Sequence, residues 1–248
     1  MTRVDLNCDL GEGMGHDAEL MPLINSANIA CGAHAGDEAT MRELVALAAR
    51  HGVGVGAHPG YADRANFGRR ELRISPTDLR ELIVRQIEGL RGIGAVRHVK
   101  PHGALYNLAA RDREVAGVIA GAVGAVDRSL VLFGLASSEL VKAGRARGLA
   151  VAEEVFADRR YEADGSLTPR TKPHALIQDE SEMIAHTLRM VQTGTVRAVD
   201  GSSVRIVADT ICLHGDGPNA VRFARVLRKE LLAHGIELRA FNAESGPD

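Results

Sequence analysis

Four of the ten histidines, His34, His58, His102 and His214, stand beside glycines where a short apolar run gives way to a polar stretch. His34 and His58 close two successive copies of Gly-Ala-His, in "NIACGAHAGD" and "GVGAHPGY". Acidic and cationic groups gather at the same kind of place. Asp9, with Glu12 just beyond it, ends the first run, Lys100 and His102 end the fourth, Asp158 and Arg159 the sixth, and His214 and Asp216 the last.

Imidazoles among carboxylates suit proton transfer near neutral pH. They also suit a divalent ion such as zinc, for which Asp9, His58 and His102 are the three candidate ligands. No H-x-x-x-H or H-E-x-x-H spacing selects one use over the other. His34 and His58 also have a plainer use, bonding to backbone at strand ends. Lys100 is harder to explain away, because an inward-facing ammonium is costly without a carboxylate or an anionic ligand. Cys8, Cys31 and Cys212 carry no motif that marks a thiolate and read as small core residues.

Something must hold these groups together, and the pattern of the chain supplies it. Short apolar runs alternate with helical stretches. The runs are 3–9, 24–30, 52–58, 96–102, 129–134, 149–157 and 208–216. Asp37 caps a helix with Met41, Leu44, Val45 and Ala48 on one face, and Gly52 follows its end. Ser75-Pro76 opens another, with Leu79, Ile83, Ile87 and Leu90 in one stripe. Asp179 and Glu182 form a capping pair before Met183, Ile184, Leu188 and Val191. Pro218 starts the last long helix, and 196–207 reads as a hairpin around Asp200-Gly201.

Strand and helix in alternation require a mostly parallel sheet. The expectation is an α/β protein, one domain over 1–248, folded as a seven-stranded β/α barrel, with an open doubly wound sheet as the competing architecture. In either, functional groups collect at the carboxyl ends of the strands. Alternation puts Asp5, Asn7 and Asp9 on one face, and His98, Lys100 and His102 on one face. Asp5 and Asn7 are then inward polar groups that either serve the site or satisfy each other.

Two loops read as clamps: 61–73, with Arg64, Arg69 and Arg70, and 157–177, with Arg159, Arg160, Arg170 and Lys172. Arginine forks match carboxylate or phosphate. The sequence contains no G-x-x-x-x-G-K-[ST] phosphate loop and no G-x-G-x-x-G fingerprint at a strand–helix turn.

Other function classes find little support. A net charge of -2 with no Trp argues against nucleic acid as a partner. No run is long enough for a membrane span and the N-terminus has no apolar signal core, so the expected location is the cytoplasm. Three scattered cysteines agree with a reducing compartment.

Seven blocks in order, "VDLNCDLGEG", "NIACGAHAGD", "GVGAHPGY", "FGRR", "VKPHGALYN", "EVFADRRY" and "CLHGDGPNA", resemble the LamB/YcsF family from residue 4 to about 240. The resemblance implies a seven-stranded barrel related to the glycoside hydrolase/deacetylase superfamily. It implies ATP-dependent opening of 5-oxo-L-proline to L-glutamate, with two further 5-oxoprolinase subunits, B and C, as partners. ATP with Mg is the implied nucleotide, and a divalent metal on Asp9, His58 and His102 is carried over from the deacetylase-like barrels. For such chemistry the expected catalytic groups are Asp9, Lys100, His102, His214 and Asp216. Asp9 or Asp216 would be the base, His102 or His214 the proton donor, and Lys100 a partner for anions. Asn7, Glu12, His34, Arg69, Arg70 and Arg159 are the expected contacts to substrate or phosphate. The rival readings are a stand-alone metal-dependent amide hydrolase or deacetylase, and a non-catalytic component that presents substrate to partners.

Overall fold

The computed structural model describes residues 2–213 and 219–241. His214 and Asp216 therefore lie outside the described residues. The strands are β1 (Arg3–Leu10), β2 (Ser26–Ala30), β3 (Gly54–His58), β4 (His98–Val99), β5 (Val131–Leu135), β6 (Val151–Phe156), β7 (Thr195–Arg197), β8 (Ser203–Arg205), β9 (Thr210–Leu213) and β10 (Glu237–Leu238). The helices are α1 (Asp17–Leu20), α2 (Glu38–His51), α3 (Pro76–Arg91), α4 (Gly103–Arg111), α5 (Arg113–Val126), α6 (Glu139–Ala146), α7 (Glu180–Thr193) and α8 (Ala220–Ala233).

Strands β1 to β6 pair in chain order, β6 pairs β9, and β9 returns to β1, all in parallel. That ring is a closed seven-stranded barrel. Closure leaves no exposed edge among these strands, and each helix carries the chain back to begin the next strand. The open-sheet alternative is thereby excluded.

The expected hairpin is β7–β8, antiparallel, turning through Asp200 and Gly201. Strand β10 is an addition: Glu237 and Leu238 pair with Arg3 and Val4, outside the barrel ring. No helix among the described residues is long and apolar enough to cross a membrane.

Helix boundaries follow their caps. Asp37 accepts from Thr40 N at 2.8 Å, and α2 ends at Gly52 with φ 68°. Ser75 caps α3, which buries Leu79, Ile83, Ile87 and Leu90, the stripe expected from spacing. Asp179 accepts from Glu182 N at the start of α7. Each cap satisfies backbone donors that the helix start leaves without partners.

Strand β1 shows how the barrel divides its residues. Val4, Leu6, Cys8 and Leu10 belong to the apolar core, while Asp5 and Asn7 are buried with no exposure. Period-two alternation turns one set toward the helices and the other into the barrel. Inside, Val131, Phe133 and Ala152 form a small apolar cluster of their own. The remaining interior is largely polar, and a polar group out of water needs a hydrogen bond. Those bonds run in series. His98 Nε2 contacts Asn28 Oδ1 at 2.8 Å, and Asn28 Nδ2 donates to Asn7 Oδ1 and Asp9 Oδ1, both at 2.8 Å. Asn7 Nδ2 donates to Thr210 Oγ1 at 2.7 Å, whose hydroxyl donates to Asp5 Oδ2 at 2.6 Å. Asp5 and Asn7 are thus joined through Thr210.

Gly56 makes room for this network. A Cβ there would come within 2.0 Å of His98 Nε2, so the imidazole occupies the space a side chain would need.

Candidate active site

Strand β4 stops at Val99 because Pro101 has no N–H for the ladder. The chain stays alongside β3 all the same, through Lys100 N to Ala57 O at 3.0 Å and His102 N to Pro59 O at 2.8 Å. Alternation continues, and His98, Lys100 and His102 are all buried. Ala30 lies beside His58 in register, which sets His58 at the rim next to the loop that carries His34.

At this rim Glu12 Oε1 lies 3.1 Å from His102 Nδ1, 3.3 Å from His34 Nε2 and 3.6 Å from His58 Nε2. Asp9 Oδ2 is 3.4 Å from His58 Nε2, and His58 Nε2 is 2.9 Å from His102 Nδ1. The opposite nitrogens of two rings are already committed. His58 Nδ1 meets Lys100 O at 2.8 Å, and His102 Nε2 meets Phe67 O at 2.9 Å. A carbonyl oxygen only accepts, so both those nitrogens carry the ring proton. In the neutral rings the facing nitrogens are then bare lone pairs, looking at each other and at two carboxylates.

Such a cluster of acceptors calls for one central positive charge. His34 and His102 do not provide it. Burial lowers both, His34 to about 4, in spite of the hydrogen bonds to Glu12. Burial also works against charge on His58, yet facing Asp9 and Glu12 raises it above its ordinary value. For Glu12, burial acts to raise the carboxyl, and contact with His102 and His34 outweighs that, holding it well below the usual carboxylate range. The central charge is either a proton on His58 Nε2 or a metal ion.

The donor set fits an ion. Ligand atoms of Glu12, His34, His58 and His102 all lie within 4.8 Å of one another. His58 and His102 each donate the outer ring proton to a backbone carbonyl, the arrangement that orients metal-binding imidazoles. The buried Nδ1 of His34 has no partner among the described residues. Glu12 and His34 thus join His58 and His102, and Asp9 stands to the side, toward Lys100.

The loop after β3 shapes this cluster. Phe67 has φ 55°, a strained region for a bulky residue. That backbone puts its carbonyl on His102, while the next residue, Gly68, leaves no room for a side chain, since a Cβ would sit 2.8 Å from His34 Cβ. His34 and His102 stack with ring centroids 3.8 Å apart. Arg64 fastens the loop by donating to Gly32 O and Gly36 O.

Lys100 has carboxylates on two sides. Its Nζ lies 2.8 Å from Asp9 Oδ1, 2.9 Å from Glu154 Oε1 and 3.0 Å from Cys212 Sγ. Burial disfavours its charge, but Asp9 and Glu154 hold the ammonium well above its ordinary value. Its hydrogen bonds go to Asp9 Oδ1, Cys212 Sγ and, at 3.3 Å, Asn7 Oδ1, with Glu154 adding an ion pair, so Lys100 holds Asp9 in place. Tyr106 extends the group, donating to Glu154 Oε2 at 2.6 Å.

A cavity of about 1010 Å³ is lined by Asp9, Glu12, His58, Lys100 and His102, by Arg159, Glu162, Arg170 and Lys172 from the loop after β6, and by Arg69. Of the remaining expected contacts, Asn7 lies deep in the barrel, donating to Glu154 Oε1 and Thr210 Oγ1. Arg70 is not brought to the cavity. Its side chain is 65% exposed, pairs with Asp63 at 3.6 Å and is not among the residues that line the cavity. Period-two reasoning cannot orient a loop side chain, which is why Arg69 and Arg70 looked equivalent. Glu154, Tyr106 and Asn28 were missed. Glu154 was open to the alternation in "VAEEVF", where it shares a face with Ala152 and Phe156.

The LamB/YcsF family profile matches residues 4–246. The chain is 51% identical over 254 residues to the A subunit of 5-oxoprolinase from Geobacillus thermodenitrificans, covering 99% of each. It superposes on the crystal structure of a lactam utilization protein from Thermus thermophilus with a TM-score of 0.91 and 45% identity, covering 96% of this chain and 100% of that one. A family 4 carbohydrate esterase from Streptomyces lividans, in complex with acetate, gives a TM-score of 0.50 at 12% identity, covering 99% of this chain and 95% of that one. At that identity the likeness is one of fold alone.

Proposed function

The chain belongs to the LamB/YcsF family, and from that premise we propose that it is the A subunit of a 5-oxoprolinase, opening the lactam of 5-oxo-L-proline to L-glutamate. The Geobacillus relative is an A subunit of 5-oxoprolinase by name, and the Thermus structure is described as a lactam utilization protein. The reaction is ATP-dependent and proceeds with the partner subunits B and C. The structural observation that carries the chemistry is the ring of acceptors, Glu12, His34, His58, His102 and Asp9, all but His34 lining the cavity.

Hydrolysis breaks the amide C–N bond, so water must lose a proton as it attacks the carbonyl carbon, and the ring nitrogen must gain one as it leaves. Asp9 is the base. Lys100 and Asn28 hold its Oδ1, and Oδ2 is turned toward His58. The facing edges of His58 and His102 hold the proton destined for nitrogen. The lactam carbonyl is a poor electrophile, and ATP, handled by the complex, phosphorylates its oxygen and leaves as ADP; attack of the first water and cleavage of C–N then give a glutamyl phosphate, and a second water releases phosphate and glutamate. If a divalent ion held by Glu12, His34, His58 and His102 took the place of the proton on those histidines, it would supply a Lewis acid toward the carbonyl oxygen, and the proton for nitrogen would come from Asp9 after Asp9 takes it from water.

The same cluster favours a second reading, a metal-dependent amide hydrolase that needs no nucleotide. Glutamate release from 5-oxo-L-proline decides between them. The complex reconstituted with B and C is expected to need ATP. Turnover by this chain alone, without ATP and abolished by a chelator, would establish the second reading.

A further inference from the structure

We infer that Arg159 recognises the free carboxylate of the substrate and so selects 5-oxo-L-proline over lactams that lack one. The inference rests on the lactam-opening reading and adds the group that orients the substrate.

Two buried cations line the cavity, Lys100 at 2% exposure and Arg159 at 4%. Lys100 is neutralised by Asp9 and Glu154. Arg159 is not matched in this way. Its Nη2 donates to Thr168 O at 2.7 Å, its buried Nε has no hydrogen-bond partner, and it forms no salt bridge among the described residues. A guanidinium removed from water without a carboxylate is costly, and a bound oxyanion removes that cost. Its surroundings agree: burial first, then the charge of Arg170, outweigh the opposing charge of Asp158 and bring it down to about 10.

The position is also rigid. Arg159 pairs with Leu176 in an antiparallel bridge, and its contact to Thr168 O ties it to the far side of the same loop. A fixed fork offers paired N–H donors in the geometry of a carboxylate. Orientation has to come from such a group. A cavity of about 1010 Å³ is roomy for an amino-acid-sized lactam, and shape alone would leave the ring free to turn. With its carboxylate held by Arg159, the substrate keeps one orientation in the cavity that Asp9, His58 and His102 also line.

The test compares wild-type, Arg159→Gln and Arg159→Lys chains within the reconstituted complex. The substrates are 5-oxo-L-proline and 2-pyrrolidinone, the same lactam without the carboxylate. Acetate and inorganic phosphate serve as competing probes. We expect Arg159→Gln to raise KM for 5-oxo-L-proline roughly ten- to a hundred-fold, the scale of a lost charge-assisted contact, with Arg159→Lys recovering part. Handling of 2-pyrrolidinone should be unchanged, and acetate should compete in the wild type but not in Arg159→Gln. An unchanged KM overturns the assignment. So does an equal loss for both lactams, which would mark a structural role, or an effect of the substitution on phosphate competition alone. Failure of the function is separate from these: a wild-type complex that ignores 5-oxo-L-proline yet shows Arg159-dependent acetate binding keeps the carboxylate subsite and discards the substrate.

Discussion

His58 Nε2 and His102 Nδ1 face each other at 2.9 Å while the far nitrogen of each ring is held by a backbone carbonyl, Lys100 O for one and Phe67 O for the other. Each carbonyl dictates a tautomer, and the two tautomers leave lone pairs where Glu12 and Asp9 already bring negative charge. Everything proposed about catalysis starts from that shortage of protons.

The first consequence concerns metal. The purified chain should carry a divalent ion, and a chelator should lower its thermal midpoint, because an ion bound only by the folded state stabilises it. Returning zinc should restore the midpoint, and His102→Ala should show neither effect. A wild-type midpoint indifferent to chelator and zinc would leave the proton on His58 as the central charge.

Lys100 makes a second, purely energetic prediction. Lys100→Met leaves Asp9 and Glu154 buried without their cation and should cost about 3–5 kcal/mol in denaturant unfolding. Adding Glu154→Gln should recover part of the loss, since one of the stranded charges is gone. Losses that simply add would contradict the charge pairing.

Asp5 should leave a signature in the pH dependence of stability. Burial raises its carboxyl from 3.8 to about 7. Between those values the folded protein holds a proton that the unfolded chain has lost. The contribution of Asp5 is therefore most favourable below pH 4, declines as pH rises and levels off above 7. Measured by urea unfolding, the stability of Asp5→Asn relative to wild type should rise by about 4 kcal/mol across that window. A difference independent of pH would show that Asp5 does not carry the proton.

Gly56 tests the packing beneath the site. Gly56→Ala would place a Cβ where His98 now stacks on Phe133 with centroids 4.3 Å apart. The expected cost is about 3 kcal/mol, at the upper end for overpacking, and His98→Ala in the same chain should relieve it. A wild-type melting point for Gly56→Ala would mean the imidazole moves aside freely.

Much of the site was legible because alternation on a strand is strict. The pattern "VDLNCD" placed Asp5, Asn7 and Asp9 on one face, and "HVKPH" did the same for His98, Lys100 and His102. Less could be placed where no period applies. Arg70 in the loop after β3 turns outward, and Glu12, expected as a substrate contact, sits among the histidines. Lys100 was rightly expected to need an anion, but parity could not show that Glu154, from β6, joins Asp9 in matching it. The backbone carbonyl of Phe67 left no trace in the sequence, since its role depends on one left-handed residue.

The central claim, that this acceptor cluster opens the lactam, is tested most directly by glutamate release from 5-oxo-L-proline in the complex with subunits B and C and ATP. With the wild-type chain the account predicts steady release. With Asp9→Asn, which keeps the shape but removes the base, it predicts a fall in kcat of about a hundred-fold or more. Release by the Asp9→Asn complex at the wild-type rate would contradict it.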